Sequence, residues 1–147
     1  MADDRPAPGA AALVLDTNSV LDWLVFRDPS MRAAADAVES GRLRWIACPR
    51  MRDELARALT YASLSRWKPD SEHVLSKFDQ HAEQRTTPPT LPGLRCHDAD
   101  DQVFIDLAVA AGARWLITRD QALLKLARRA APLGVIVLRP ADFAADA

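Results

Sequence analysis

AALVLDTN, at residues 11–18, joins an uninterrupted apolar run to an abrupt polar segment that begins at Asp16. A short apolar run without alternation is typical of a strand that is buried on both faces of a parallel sheet. The residues that follow, Asn18–Phe26, have helical character, so the chain turns from a strand directly into a helix. This stretch predicts the first strand–helix unit of an α/β fold.

The same alternation continues along the chain. Further strands are predicted at Arg44–Cys48, Trp115–Thr118 and Val135–Leu138. Further helices are predicted at Met31–Ser40, Pro49–Tyr61, Asp70–Arg85, Ala99–Ala111 and Asp120–Ala130, with a loop at Thr86–Leu94. Strands separated by helices need crossover connections, so we predict a mainly parallel sheet with helices on both faces.

The composition indicates one soluble globular domain. The chain has 147 residues, of which 49% are hydrophobic and 27% charged, and this length allows one well-buried core. Residues 1–10 lack the features of a signal peptide, so we predict a flexible tail there, a domain over residues 11–143 and a short tail at 144–147. We find no apolar run long enough to cross a bilayer.

Cysteine content and charge narrow the class of protein further. Only Cys48 and Cys96 are present, and free thiols in a reducing cytoplasm are the simplest interpretation. The net charge of −1 is not typical of a nucleic-acid-binding domain, which is usually basic. The 19 Lys and Arg residues still allow a local basic groove.

Acidic residues follow two of the predicted strands. Asp16 ends the first apolar run, and Asp120 follows Leu116–Thr118 with one residue between. Either carboxylate could simply cap the next helix. Because parallel strands end at the same edge of a sheet, we also expect these two carboxylates to lie close together, where α/β sheets bind ligands.

Two helices carry further candidates. Glu54 lies at the border of an apolar helix face, whereas its neighbour Asp53 is predicted to be solvated. The alternative for Glu54 is an ion pair with Arg50 or Arg57. Three acids, Asp98, Asp100 and Asp101, open a later helix, where capping is again an alternative. Periodicity does not choose between Asp100 and Asp101, and it predicts that Asp106, further along, is exposed.

Several converging carboxylates repel one another. At roughly 4 Å and an effective dielectric near 20, two such charges cost about 4 kcal/mol, so either protons or a cation must occupy the site. Oxygen ligands favour Mg²⁺ or Mn²⁺. Zinc is disfavoured, because neither Cys96-His97 nor His73 and His81 have the spacing of zinc ligands.

The order of these motifs resembles the PIN-domain family, and within it the bacterial toxin components related to VapC. The resemblance covers about Leu13 to Phe143 and rests on four segments: LDTN at Leu15–Asn18, the helix-borne Glu54, CHDADDQVF at Cys96–Phe104, and ITRD at Ile117–Asp120. It implies a three-layer αβα sandwich with a mainly parallel sheet of four to five strands. It also implies a metal-dependent endoribonuclease with one or two Mg²⁺ or Mn²⁺ ions.

Site residues follow from matching positions in those motifs. The catalytic and metal-binding quartet corresponds to Asp16, Glu54, Asp101 and Asp120, with Asp98 as a further metal-binding candidate and Asn18 and Thr118 in support. Gln102 departs from the family, in which close relatives often have a third consecutive acid. This departure leaves open whether Asp100 or Asp101 has the main role, and spacing favours Asp101.

The resemblance also implies partners: an RNA substrate, a cognate antitoxin and a second copy of the chain in a homodimer. Candidate RNA-binding residues are Arg119, Arg50 and Arg52, and Trp67 is the tryptophan most suited to contact RNA or a protein. The rival function is a catalytically silent PIN-fold module that binds RNA or protein. A phosphatase of the haloacid-dehalogenase type is disfavoured, because Asn18 stands where it needs a second Asp.

Overall fold

The computed structural model describes residues 9–143, so most of the predicted tail at residues 1–10 and all of residues 144–147 lie outside the described part. The strands are β1 (Ala12–Leu15), β2 (Arg44–Ala47), β3 (Ala82–Gln84), β4 (Trp115–Ile117) and β5 (Ile136–Leu138). The helices are α1 (Thr17–Leu24), α2 (Arg32–Glu39), α3 (Pro49–Ala58), α4 (Ser71–His81), α5 (Gln102–Ala110), α6 (Gln121–Leu124) and α7 (Ala127–Ala130). Short 3₁₀ turns cover Pro29–Met31, Ala62–Trp67, Ala99–Asp101, Ala131–Leu133 and Pro140–Asp142.

All five strands form one parallel sheet in the order β3-β2-β1-β4-β5, and helices cover both faces. The predicted αβα class is confirmed. β1 lies at the centre, where its Leu13 is in register with Trp45 of β2 and Trp115 of β4. All four β1 residues are buried, as its apolar run predicts.

The strand order determines where a ligand can enter. From β1 the chain moves outward through β2 to β3, and then returns to the other side of β1 as β4 and β5. The two halves therefore diverge between β1 and β4. In α/β sheets, ligands bind beyond the carboxyl ends of the strands at such a point.

Aromatic side chains fill much of the core beside the sheet. Trp45 packs edge-on against Phe78 of α4, with ring centroids 5.1 Å apart, and Trp115 packs in the same way against Phe143 at 5.3 Å. Trp45 and Trp115 are buried, which confirms the prediction that the strand tryptophans belong to the core. No helix of residues 9–143 combines the length and the apolar character that a membrane span needs.

Two predicted elements differ from the structure. The helix predicted to reach Arg85 ends at His81, and Ala82–Gln84 instead pairs with β2 as an edge strand; its short polar sequence carries no strand pattern, so this pairing depends on the partner strand. The helix predicted at residues 120–130 is divided into α6 and α7. A tight turn there, in which Leu126 N–H bonds the carbonyl oxygen of Leu123, places both leucines in the core.

Candidate active site

Asp16 and Asp120 meet at the carboxyl ends of β1 and β4. Leu15 is in register with Ile117, so Asp16 and Thr118 leave the two strands at the same level. Asp16 is only 3% exposed and begins α1, where its Oδ1 accepts the N–H of Ser19 at 2.8 Å. Asp16 therefore caps α1, as the alternative interpretation predicted, and it also lies at the carboxyl end of β1.

Thr118 links the two aspartates. Its hydroxyl donates to Oδ2 of Asp16 at 2.5 Å and accepts the backbone N–H of Asp120 at 2.9 Å. Asp120 in turn caps α6 by accepting the N–H of Ala122. Burial raises the pKa of Asp16 above its usual value, although hydrogen bonds from Thr118 and Ser19 oppose the shift. Thr118, predicted as a supporting residue, thus positions both strand-end carboxylates.

Glu54 reaches the same place from the middle of α3. Burial raises its pKa, the charges of Asp100 and Asp16 add to the rise, and Arg57 opposes it. No ion pair joins Glu54 to an arginine within residues 9–143, so the ion-pair alternative is not what the structure has. The Thr17 hydroxyl is near enough to lower the pKa of Glu54 slightly. The buried hydroxyl oxygen of Thr17 nevertheless has no hydrogen-bond partner among the described residues.

Asp101 closes the group from the 3₁₀ turn before α5. Its pKa is raised to about 8, first by burial and then by a hydrogen bond and charge repulsion with Asp120. The proximity of Asp120 opposes ionisation of Asp101, because two bare carboxylates close together repel. Asp100 is exposed, so the structure places Asp101 rather than Asp100 against Asp120.

The four carboxylates line one cavity of about 180 Å³. The remaining wall is formed by Thr17, Asn18, Leu21, Phe26, Ala58, Tyr61, Ser63 and Leu64. Asn18, a predicted supporting residue, therefore contributes to the wall. Asp98 does not line the cavity; it is exposed, caps its own turn by accepting the N–H of Asp100 at 3.0 Å, and adds to the rise in the pKa of Asp101.

The donor set suits a hard divalent cation in its chemistry. It offers carboxylate oxygens, raised pKa values that a cation would reverse, and the buried Thr17 hydroxyl. As the side chains stand, no group of three or more His, Cys, Asp or Glu residues in the described range could hold a metal ion. The metal-binding roles of these residues stay predictions.

The three arginines proposed to bind RNA have different surroundings. Arg52 forms a two-pronged ion pair with Asp79, with both N–O distances 2.8 Å. Arg119, which is half exposed, lies 2.6 Å from the buried carboxylate of Asp22 on α1. Arg50 is exposed and lines a different cavity. No observation here tests their contact with RNA.

Two buried acids were not anticipated. The prediction that Asp106 is exposed is wrong: it is 2% exposed and accepts the N–H of Leu91 at 3.0 Å and the amide of Gln102 at 2.9 Å. The i,i+4 spacing of Gln102 and Asp106 was a usable signal for this pair. For Asp22 no local signal exists, because its partner Arg119 is 97 positions away.

Comparison with known proteins agrees with this architecture. A family model described as the PIN domain matches residues 12–122. The fold is similar to a chain of VapBC2 from Rickettsia felis, solved bound to a DNA fragment from their promoter, with a TM-score of 0.59 and 13% identity, covering 87% of this chain and 98% of that chain. It is also similar to PAE2754 from Pyrobaculum aerophilum, with a TM-score of 0.56 and 17% identity, covering 89% of this chain and 92% of that chain.

No curated protein sequence matches the chain, and at these identities the two solved structures speak for the fold alone. The family match spans most of the chain, including Asp16, Glu54, Asp101 and Asp120, and it confirms the resemblance drawn from the motifs. The chain belongs to the PIN-domain family.

Proposed function

We propose that this protein is a metal-dependent endoribonuclease that hydrolyses RNA phosphodiester bonds. The observation that carries the proposal is the convergence of Asp16, Glu54, Asp101 and Asp120, from four separate segments, on one cavity at the divergence point of the sheet. Without a cation, the four carboxylates in this cavity would repel an RNA phosphate. With a divalent cation between them, the same carboxylates and the phosphate attract.

Asp16, Asp101 and Asp120 would hold the metal, with Glu54 completing the set. A bound Mg²⁺ or Mn²⁺ would supply an activated water molecule and neutralise charge on the phosphate. Asp101, whose pKa is raised to about 8 in the absence of a cation, would bind the metal as a carboxylate. Thr118 keeps Asp16 oriented through its hydroxyl, and Glu54, whose pKa burial raises, is suited to accept a proton from the attacking water.

The family and the fold support a place in a toxin–antitoxin pair. The chain is similar in fold to a component of the VapBC2 complex, and this supports a protein partner that controls the nuclease. We propose that a cognate antitoxin neutralises this chain as the toxin, and that the chain forms a homodimer in the cytoplasm.

Two neighbouring acids on α3 provide a matched test. Glu54 lines the cavity, whereas Asp53 is exposed. We expect Glu54→Gln to lower the cleavage rate of a short single-stranded RNA by about 100-fold or more, as for loss of a proton-transfer group. Asp53→Asn should leave the rate unchanged. Cleavage is followed on gels during a titration with Mn²⁺ or Mg²⁺, and EDTA should abolish it.

The same titration separates the rival function. If the wild-type protein binds the RNA but leaves it intact at every metal concentration, the chain is a silent PIN-fold module. If cleavage persists in EDTA, or if Glu54→Gln and Asp53→Asn cut equally fast, the carboxylate cavity is not the catalytic site.

A further inference from the structure

Aromatic side chains share the cavity with the carboxylates. Phe26, just after α1, and Tyr61, just after α3, both line it. Tyr61 is 54% exposed, so a face or edge of its ring is open to a ligand that enters the cavity. A metal-binding pocket has no need of such rings, and they indicate a second kind of contact beside the acids.

Trp67 extends this surface away from the acids. Its ring packs edge-on against Phe26 with centroids 4.8 Å apart, and it is still 49% exposed. The guanidinium carbon of Arg66 lies 5.6 Å from the centre of the same ring. We call Phe26, Tyr61, Arg66 and Trp67 the aromatic rim.

The backbone has an unusual conformation directly after Phe26 and directly after Trp67. Each of these rings is followed by a residue in the left-handed region, Arg27 with φ 53° and Lys68 with φ 46°. Residues with a Cβ rarely adopt this conformation, and it persists where surrounding packing determines it. Each of the two rings is thus followed in the sequence by a basic residue, Arg27 or Lys68.

We propose that the aromatic rim is a stacking platform for unpaired RNA bases next to the site of cleavage; this inference rests on the proposed function. Aromatic rings interleaved with cations are the chemistry that binds single-stranded nucleic acid without regard to sequence, because every base has a flat π face. Arg66 and Lys68 face the phosphates of the same nucleotides and offset the repulsion between the RNA and the acidic cavity.

The position of the rim favours RNA over a protein partner. It is continuous with the cavity through Phe26 and Tyr61, so a strand whose phosphate reaches the carboxylates lies within reach of the rings. The chain has a further exposed apolar residue, Leu133, which is also 54% exposed. It precedes β5 and so lies at the amino end of the sheet, away from the cavity, which makes it a matched control.

The test measures binding in the Glu54→Gln background with Mn²⁺, so that the RNA stays intact. The probes are a labelled single-stranded oligoribonucleotide, the same strand with one abasic nucleotide, and its duplex. Tyr61→Ala and Trp67→Ala should each raise the Kd for the single strand about tenfold or more, and Trp67→Phe should restore most of the affinity. Leu133→Ala should bind as tightly as the parent, and the duplex should bind equally to all variants.

The abasic strand identifies the cause. If the rings stack on bases, the parent should lose affinity when a base in register with the rim is removed, and the two alanine variants should lose much less. Unchanged affinity in both alanine variants overturns the platform, and so does a loss of equal size on normal and abasic strands. A rim that affects only binding of a protein partner overturns it as well.

Cleavage by the wild-type protein is scored separately. Metal-dependent cleavage without any effect of the rim variants overturns the platform and leaves the nuclease standing. Rim-dependent binding without cleavage supports the platform and overturns the nuclease.

Discussion

The acidic cavity and the surroundings of Asp106 bury carboxylates in opposite ways. Asp106 is 2% exposed and accepts hydrogen bonds from Leu91 N–H and from Gln102. Asp101 is less buried, yet burial and the charge of the neighbouring Asp120 raise its pKa to about 8. Burial alone therefore does not distinguish these two carboxylates; the groups around each of them do.

The Asp106 group also gives Gln102 a structural role. Its amide nitrogen donates to the carbonyl oxygen of Leu94 and to Asp106, and its amide oxygen accepts the N–H of Cys96. Gln102 and Asp106 thus fix the segment before α5 onto the helix. We expect this group to stabilise the fold, whereas the acidic cavity lowers stability until a cation binds.

The largest effect on stability should come from Asp106→Ala. The change leaves Leu91 N–H and one donor of Gln102 buried without an acceptor, and we expect it to lower the free energy of unfolding by about 2–4 kcal/mol. Urea denaturation measures this loss. Asp36→Ala, an exposed acid on α2, is the control and should change stability by less than about 0.5 kcal/mol. Equal losses in the two variants would remove the contrast between the buried groups.

Ionised Asp101 should lower the free energy of unfolding, whereas Asp106 raises it. Its folded pKa of about 8 lies well above the usual value of 3.8 for an aspartate, so the unfolded chain releases the proton first as pH rises. In EDTA, the free energy of unfolding should therefore fall from about pH 4 to about pH 8. Solvent contact screens the effect, so we expect a fall on the order of 1–2 kcal/mol from this group. Urea denaturation across this range measures it.

Asp101→Asn isolates that contribution. The variant should match the wild-type protein near pH 4 and be more stable than it near pH 8, both in EDTA. Mn²⁺ should stabilise the wild-type protein at the higher pH and stabilise the variant much less. Asp106→Ala should keep the pH dependence of the wild-type protein. A variant that is less stable at pH 8 would show that Asp101 carries no unrelieved repulsion.

The parts of the fold that local pattern determines were predictable. The apolar runs at Ala12–Leu15 and Trp115–Ile117 identify two buried strands, and the acids after them follow from parallel pairing. β3 was missed because its three residues, Ala82–Gln84, carry no strand pattern and become a strand only through contact with β2. Asp106 was misplaced because helix periodicity does not register the segment around Leu91 that covers it.

The candidate site also has a part that the sequence predicts and a part that it does not. The strand pattern predicts that Asp16 and Asp120 lie close together, because parallel strands end at the same edge of the sheet. The hydrogen bonds of Thr118 and the unpaired hydroxyl of Thr17 depend on side-chain directions, which the sequence pattern does not predict. The ion pair of Asp22 with Arg119 joins residues 97 positions apart. The residues next to each of them in the sequence do not predict this contact.

Asp22 provides a third case between the two extremes, and the smallest expected effect. It is 3% exposed, and Nη2 of Arg119 lies 2.8 Å from its Oδ1 and 2.6 Å from its Oδ2. Burial raises the pKa of Asp22, and Arg119 opposes that rise. The guanidinium of Arg119 compensates part of the cost of burying the Asp22 carboxylate, as two hydrogen-bond donors do for Asp106. The same contact joins the turn that carries Asp120 to α1.

Arg119→Gln should therefore lower the free energy of unfolding by about 1 kcal/mol, less than for a fully buried pair because Arg119 is half exposed. The loss should grow as pH rises, since without Arg119 the folded state binds the Asp22 proton more tightly than the unfolded chain does. Denaturation of the variant and the wild-type protein at pH 5 and pH 8 tests this, with Arg128→Gln, exposed on α7, as the control. A loss independent of pH would mean that Arg119 stabilises the turn by packing alone. Asp22 would then resemble Asp101, as a buried carboxylate whose charge no neighbouring group compensates.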